Sequence, residues 1–212
     1  MVESRAHHLV SAACVAALLV AGCGSGSTAG THTHRSAVRQ TPLTATQQII
    51  FTGVTASGLP SLSITQTIAG SCWEGSVAAD RSDAYRCSTS GDDIYDPCFA
   101  LPGMGFVVCP TDGGPWDGTA IEMTLTKPLP VNTAADRGTS GLPWAIELAN
   151  GARCTAQTGT TNVVDGMSGE YTCSNGDYLY GKPDRTEAIW TIYAGTPNAS
   201  QIEQQRISKA WF

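Results

Sequence analysis

Histidine is absent from the chain after residue 34. The four histidines, His7, His8, His32 and His34, all lie near the N-terminus. The long remainder therefore cannot support Ser-His-Asp or Cys-His catalysis, a zincin site or any other imidazole–metal centre. Lysine is scarce, with only Lys127, Lys182 and Lys209. Positive charge is in short supply overall. Arg5, Arg35 and Arg39 precede residue 48, as does Glu3, so residues 48–212 hold nine cations against seventeen anions, a net charge of −8. That balance disfavours nucleic acid as a partner and argues against direct docking on anionic lipid. The apolar run Leu9 to Val20 is too short to span a bilayer stably. No phosphate-cradling glycine loop, nucleophile elbow, EF-hand spacing or CxxC pair occurs.

What is present begins at the N-terminus. A basic start (Arg5), the uncharged run Leu9 to Val20 and a small-residue exit have the layout of an export signal over residues 1–22. The run ends Leu19-Val20-Ala21-Gly22-Cys23. This resembles the lipobox of bacterial lipoproteins. The resemblance implies cleavage before Cys23, diacylglycerol (palmitate-type) attachment to its thiol, and a mature chain tethered to the outer face of the cell membrane. Residues 23–47 are rich in Gly, Ser, Thr and Ala and read as a flexible spacer. The folded body is then expected over residues 48–212, long enough for one well-cored domain or two small halves packed together.

The body contains Cys72, Cys87, Cys98, Cys109, Cys154 and Cys173. An even set in an exported, glycine-rich domain reads as three disulfides. The sequence also repeats itself, over about 58–129 and 141–212. Gly58-Leu59-Pro60 matches Gly141-Leu142-Pro143, Tyr85-Arg86-Cys87-Ser88 matches Tyr171-Thr172-Cys173-Ser174, and Gly91-Asp92-Asp93-Ile94-Tyr95 matches Gly176-Asp177-Tyr178-Leu179-Tyr180. Each half closes on a similar strand, Ile121 to Lys127 and Ile202 to Lys209. Such ordered recurrence is the mark of a duplicated unit. Among the fifteen pairings that six cysteines allow, duplication makes Cys72–Cys87 and Cys154–Cys173 equivalent and leaves Cys98–Cys109 to the first half.

Short runs rich in Thr, Val, Ile, Tyr and Trp, separated by Gly, Pro, Asn and Asp, predict a mainly β fold. The expected architecture is two tandem, related antiparallel β units packed as one disulfide-bonded sandwich or pseudo-symmetric open barrel. Strands are expected at Ile49 to Val54, Leu62 to Ile68, Gly105 to Cys109 and Ile189 to Tyr193, and one short helix at Leu142 to Ala149. Trp73, Trp144, Trp190, Trp211, Phe106 and Phe212 are the expected core anchors.

The residues left for function are acids and tyrosines. Asp92, Asp93 and Tyr95 form one set, and Asp177 and Tyr180 its counterpart, as candidate contacts for a cation or a sugar. A turn with a tyrosine packed under it accounts for the same pattern. No catalytic residue, metal or cofactor is expected. The functional expectation is an extracytoplasmic binding or protein-interaction module for an envelope protein or glycan. The alternative is a carboxylate-dependent hydrolase acting on envelope glycans, which needs two acids facing one cleft.

Gly70-Ser71-Cys72-Trp73, Asp92 through Phe99, Leu142-Pro143-Trp144-Ala145 with Ala149-Asn150-Gly151, and Lys209-Ala210-Trp211-Phe212 resemble a group of actinobacterial secreted proteins and lipoproteins with a cysteine-rich β domain. The resemblance spans Gly58 to Phe212. It implies export and a shared cysteine framework, and it implies no activity.

Overall fold

Strands β1 (Gln47–Ile49), β2 (Ser63–Gly75), β3 (Ala84–Ser88), β4 (Ile94–Phe99), β5 (Phe106–Pro110) and β6 (Thr119–Leu125) occupy the first half of the body. The second half contains β7 (Ala145–Leu148), β8 (Arg153–Ala156), β9 (Val163–Val164), β10 (Met167–Cys173), β11 (Tyr178–Asp184), β12 (Thr191–Gly195) and β13 (Glu203–Trp211). This computed structural model describes residues 42–91 and 93–212. The signal, Cys23, most of the spacer and Asp92 lie outside the described residues. No helix among the described residues is long and apolar enough to cross a membrane.

Each half closes on itself. Strands β2 to β6 form one closed barrel. In the second half β7, β8, β10, β11, β12 and β13 form a ring that the β13–β7 pairing completes, and β9 hooks onto β10. The fold is mainly β and built of two tandem units, each sealed rather than left open at an edge. Sealing removes the unpaired N–H and C=O rows that an open sheet exposes.

The closures differ for a reason visible in the residues. Ala149-Asn150-Gly151 reverses the chain between β7 and β8, with Gly151 at φ 88°, a left-handed value that a Cβ would resist. β7 therefore meets β13 antiparallel. The first half has no reversal inside β2. Its Ser63–Gly70 stretch runs parallel to β6, and its Ser71–Gly75 stretch pairs antiparallel with β3. One long strand thus does the work of two.

Cys72–Cys87 and Cys154–Cys173 each join residues directly opposite one another on neighbouring antiparallel strands. Cys98–Cys109 ties β4 to β5. The two halves therefore carry matched cross-strand bonds, and the first carries one more.

Four apolar clusters follow from strand alternation, three of which define the two barrels and their junction. Cys72, Tyr85, Cys87, Cys98, Val107 and Met123 fill the first barrel. Ile146, Leu148, Leu179, Ile192, Ile207 and Phe212 are among the residues that fill the second. Between the barrels lie Phe51, Ala84, Phe99, Trp144, Ala145 and Trp211. Successive residues of a strand face opposite sides. Tyr85, Cys98, Ile146 and Ala210 accordingly turn into a barrel, while their neighbours Ala84, Phe99, Ala145 and Trp211 turn into the junction. Strands covered on both faces read as unbroken apolar runs. This corrects the expected helix at Leu142 to Ala149: Trp144 leads into strand β7, whose first residues Ala145 and Ile146 are buried on opposite faces.

Trp73 is the other correction. It is 45% exposed, not a core anchor. The β2–β3 register slips between Cys72 and Glu74, and the resulting bulge turns the extra residue outward. The indole Nε1–H donates to Glu74 (3.0 Å), and the Arg86 guanidinium stands 5.6 Å from the ring centre. Phe106 is half-buried beside the Val54, Val108 and Ala120 cluster, whereas Trp144, Trp190, Trp211 and Phe212 are buried as expected.

The chain ahead of the first barrel is fastened to the second. Thr46, within the stretch read as spacer, is buried; its hydroxyl donates to Ile207 O (2.7 Å) and accepts from Trp190 N (2.8 Å). β1 then pairs in parallel with Lys209–Trp211, along β13 beyond the residues that β12 takes. Arg81 Nη1 donates to the main-chain oxygens of Phe51 (2.6 Å) and Phe212 (2.8 Å), so one guanidinium ties this segment and the last strand to the first barrel.

Candidate functional site

Three segments meet where the barrels abut: residues 77–80 after β2, residues 137–142 between the barrels, and residues 182–185 at the end of β11. They enclose a cleft of about 430 Å³, within the range of small-ligand sites, which favour such junctions. Arg137, Lys182 and Arg185 supply its cations, Asp80 and Ser140 its other polar side chains. Val77 (54% exposed) and Leu142 (44%) give it apolar walls.

Each cation is held differently. Arg185 Nη1 and Nη2 donate to Thr139 O (3.0 Å) and Gly141 O (2.6 Å), and its guanidinium carbon lies 4.6 Å from the Trp190 ring centre and 5.4 Å from that of Phe212. Partial burial lowers the Arg185 pKa from its ordinary value, against an opposing effect of Tyr171; a guanidinium remains charged regardless. Arg137 Nε lies 3.2 Å from Asp80 Oδ2, an exposed pair of the kind worth little in water. Lys182 is exposed and makes no ion pair with a described residue. The other paired cations, Arg81, Arg86, Arg153 and Lys209, face carboxylates elsewhere.

The wall carrying Gly141-Leu142-Pro143 is fixed from inside the second barrel. The buried Tyr171 hydroxyl donates to Pro143 O (2.7 Å). Burial pushes the phenol far above its ordinary pKa, so it stays a donor. A small pocket of about 10 Å³ adjoins the cleft, sharing Asp80, Gly141 and Leu142 with it and lined also by Arg81, Trp144 and Phe212. Trp144 is 1% exposed, and its Nε1–H has no acceptor among the described residues. A buried donor without a partner is costly.

The acid and tyrosine sets anticipated from sequence sit at matched hairpins of separate barrels. Asp92 lies outside the described residues. Asp93 is exposed, and Tyr95 lines a second cleft, about 350 Å³, with Asp96, Thr111 and Asp112. Asp177 accepts from Asn175 Nδ2 (2.7 Å) within its own turn. Tyr180 is fully buried; its hydroxyl accepts from Asn162 Nδ2 (2.7 Å) and donates to Thr196 O (3.1 Å). Those contacts make Tyr180 a fastener of the second barrel. No group of three or more His, Cys, Asp or Glu able to hold a metal occurs among the described residues.

Asp96 is a carboxylate whose proton affinity burial raises. Its side chain is 1% exposed. It accepts from the Ser76 hydroxyl and from Val77 N (3.2 Å), and faces Arg86 Nε at 3.8 Å. Burial raises its pKa above 3.8; the hydrogen bonds from Ser76, Val77 and Ala78 and the charge of Arg86 oppose that rise. The folded state thus holds this proton more tightly than the unfolded chain does. The resulting stabilisation is complete below pH 3.8 and fades as pH climbs through the raised value. In urea titrations across that window, wild-type stability measured against Asp96→Asn should fall with rising pH. A difference that grows with pH would contradict this account.

Sequence reasoning did not single out Arg137, Lys182, Arg185 or Asp80. They are far apart in the chain and belong to no motif; only the scarcity of cations made Lys182 conspicuous. No family model, curated protein or solved structure matches this chain.

Proposed function

We propose that this protein is a lipid-anchored extracytoplasmic binding module, held at the membrane through Cys23, whose ligand occupies the cleft between the barrels. The observation that carries the reading is convergence. Both barrels and their connection contribute to one cleft, and cations gather there in a body that carries net negative charge. Three disulfides fit an oxidising setting, and the expected signal and lipobox supply the route. The ligand is an envelope protein or glycan. The hydrolase alternative draws less support, because the buried carboxylate of Asp96 is already engaged by Ser76 and Val77.

The test uses the full chain in two parts. Cys23→Ala should shift the protein from the membrane fraction to the soluble fraction; persistence on the membrane after a salt wash would refute the anchor. Immobilised wild-type protein should retain envelope fragments that Ser140→Trp, which fills the cleft from an exposed position, no longer retains. Equal retention by both would place the ligand elsewhere, and steady release of new reducing ends from the glycan would favour hydrolysis.

A further inference from the structure

We infer that the junction cleft receives an anionic oxygen-rich group, a carboxylate or a phosphate, and that Asp80 occupies part of its place when the cleft is empty. The inference rests on the cleft being the binding site and specifies what it binds.

The donors and acceptors of the cleft are unbalanced. Arg137, Lys182 and Arg185 bring only donors. Among the side chains of the cleft, Asp80 alone brings a carboxylate, and it faces Arg137 Nε at 3.2 Å. The Ser140 hydroxyl donates to Arg137 O (2.6 Å). A ligand that brought further donors would leave these groups facing like partners; one that brings oxygen acceptors with negative charge satisfies them.

The nearby acids do not compete in the same way. Asp136 accepts from Gly138 N (3.1 Å). Asp184 accepts from Thr186 N (3.0 Å) and the Thr186 hydroxyl (2.8 Å), which lower its pKa. Each is committed to its own turn. Asp80 instead reaches across from the first barrel to a cation of the connecting segment. Both partners are largely exposed, 47% and 61%, so exchange of one carboxylate for another costs little. Arg185 is held by carbonyls and aromatic rings and forms a fixed wall, which leaves Lys182 and a released Arg137 as the groups that close on the ligand.

The experiment follows binding of three probes to the full-length protein by calorimetry: inorganic phosphate, a glucuronate-containing oligosaccharide and its neutral glucose counterpart. At least one anionic probe is expected to bind while the neutral one does not, and which one binds separates phosphate from carboxylate as the source. Lys182→Ala should weaken binding about tenfold, the loss of one charge-assisted contact, and Lys182→Arg should restore most of it. Asp80→Asn should tighten binding about threefold, because the internal competitor is gone. Thermal melts of the three variants should match wild type, since all alter exposed side chains. Equal binding of the neutral probe, or weaker binding by Asp80→Asn, would overturn the inference. If Ser140→Trp abolishes retention of envelope fragments while Lys182→Ala and Asp80→Asn leave it unchanged, the binding reading stands and the anionic ligand does not. If no fragment is retained by wild type, the binding reading itself fails.

Discussion

Reducing the three disulfides should unfold the domain at ordinary temperature. The bonds close loops of 15, 11 and 19 residues in sequence separation, and each should stabilise by about 3 kcal/mol, chiefly by restricting the unfolded chain. Together they approach the entire stability of a typical domain, about 5–15 kcal/mol. The geometry of the barrels explains this dependence. Cys72 faces Cys87, and Cys154 faces Cys173, across adjoining strands, so each bond pins a register on which the surrounding barrel core depends. Near-ultraviolet circular dichroism and urea midpoints, with and without dithiothreitol, provide the check. An unchanged midpoint after complete reduction would show that packing alone holds the fold. The paired replacement Cys154→Ala with Cys173→Ala should by itself lower stability by about 3 kcal/mol. A body so reliant on cross-links suits an oxidising compartment, which is where the lipobox-like segment would deliver it.

The cysteine framework was legible in the sequence because duplication ties local signals together: two Tyr-x-Cys-Ser strands in the same order leave few consistent pairings. Sealing of each half was not legible. It depends on whether the chain reverses inside the closing strand, and the Asn150-Gly151 turn that decides this in the second half has no counterpart within β2. Trp144-Ala145-Ile146 misled for a different reason. A run buried on both faces has no period, so strand and helix look alike. Trp73 was assigned to the core by residue type, yet one extra residue in the register sends it to the surface. The site was the least legible part. Asp80, Arg137, Lys182 and Arg185 come from four separate places and acquire meaning only when two barrels and their connection bring them to one rim. Tyr180 repeats with its hairpin, and in the second barrel its hydroxyl is engaged by Asn162 and Thr196.

Phe99→Ala should do the most damage of any single truncation at the junction. Phe99 is 1% exposed, and its ring centre lies 4.9 Å from that of Phe51 and 5.8 Å from that of Trp144. Arg81 stacks over it at 5.1 Å while binding the main-chain oxygens of Phe51 and Phe212. Removing the ring opens a cavity among groups held by three different parts of the chain, so collapse around it is restricted. A loss of about 3–5 kcal/mol is expected, equivalent to a fall in Tm of roughly 10 °C for a domain of this size. The form of the melt should change as well. Each barrel keeps its own core, so weakening the layer between them should broaden or split the single calorimetric transition. Phe106→Ala, at a half-buried position away from that layer, should shift the melt by less and leave it sharp; identical behaviour of the two variants would mean that the junction does not couple the barrels. The same layer adjoins the cleft, since Arg81 and Trp144 line the small pocket beside it and both meet Phe99: one ties the chain segments, the other fills the space between the barrels. Ligand binding by Phe99→Ala should therefore weaken at temperatures where both barrels are still folded, because the rim needs the barrels held in one relation and not merely intact.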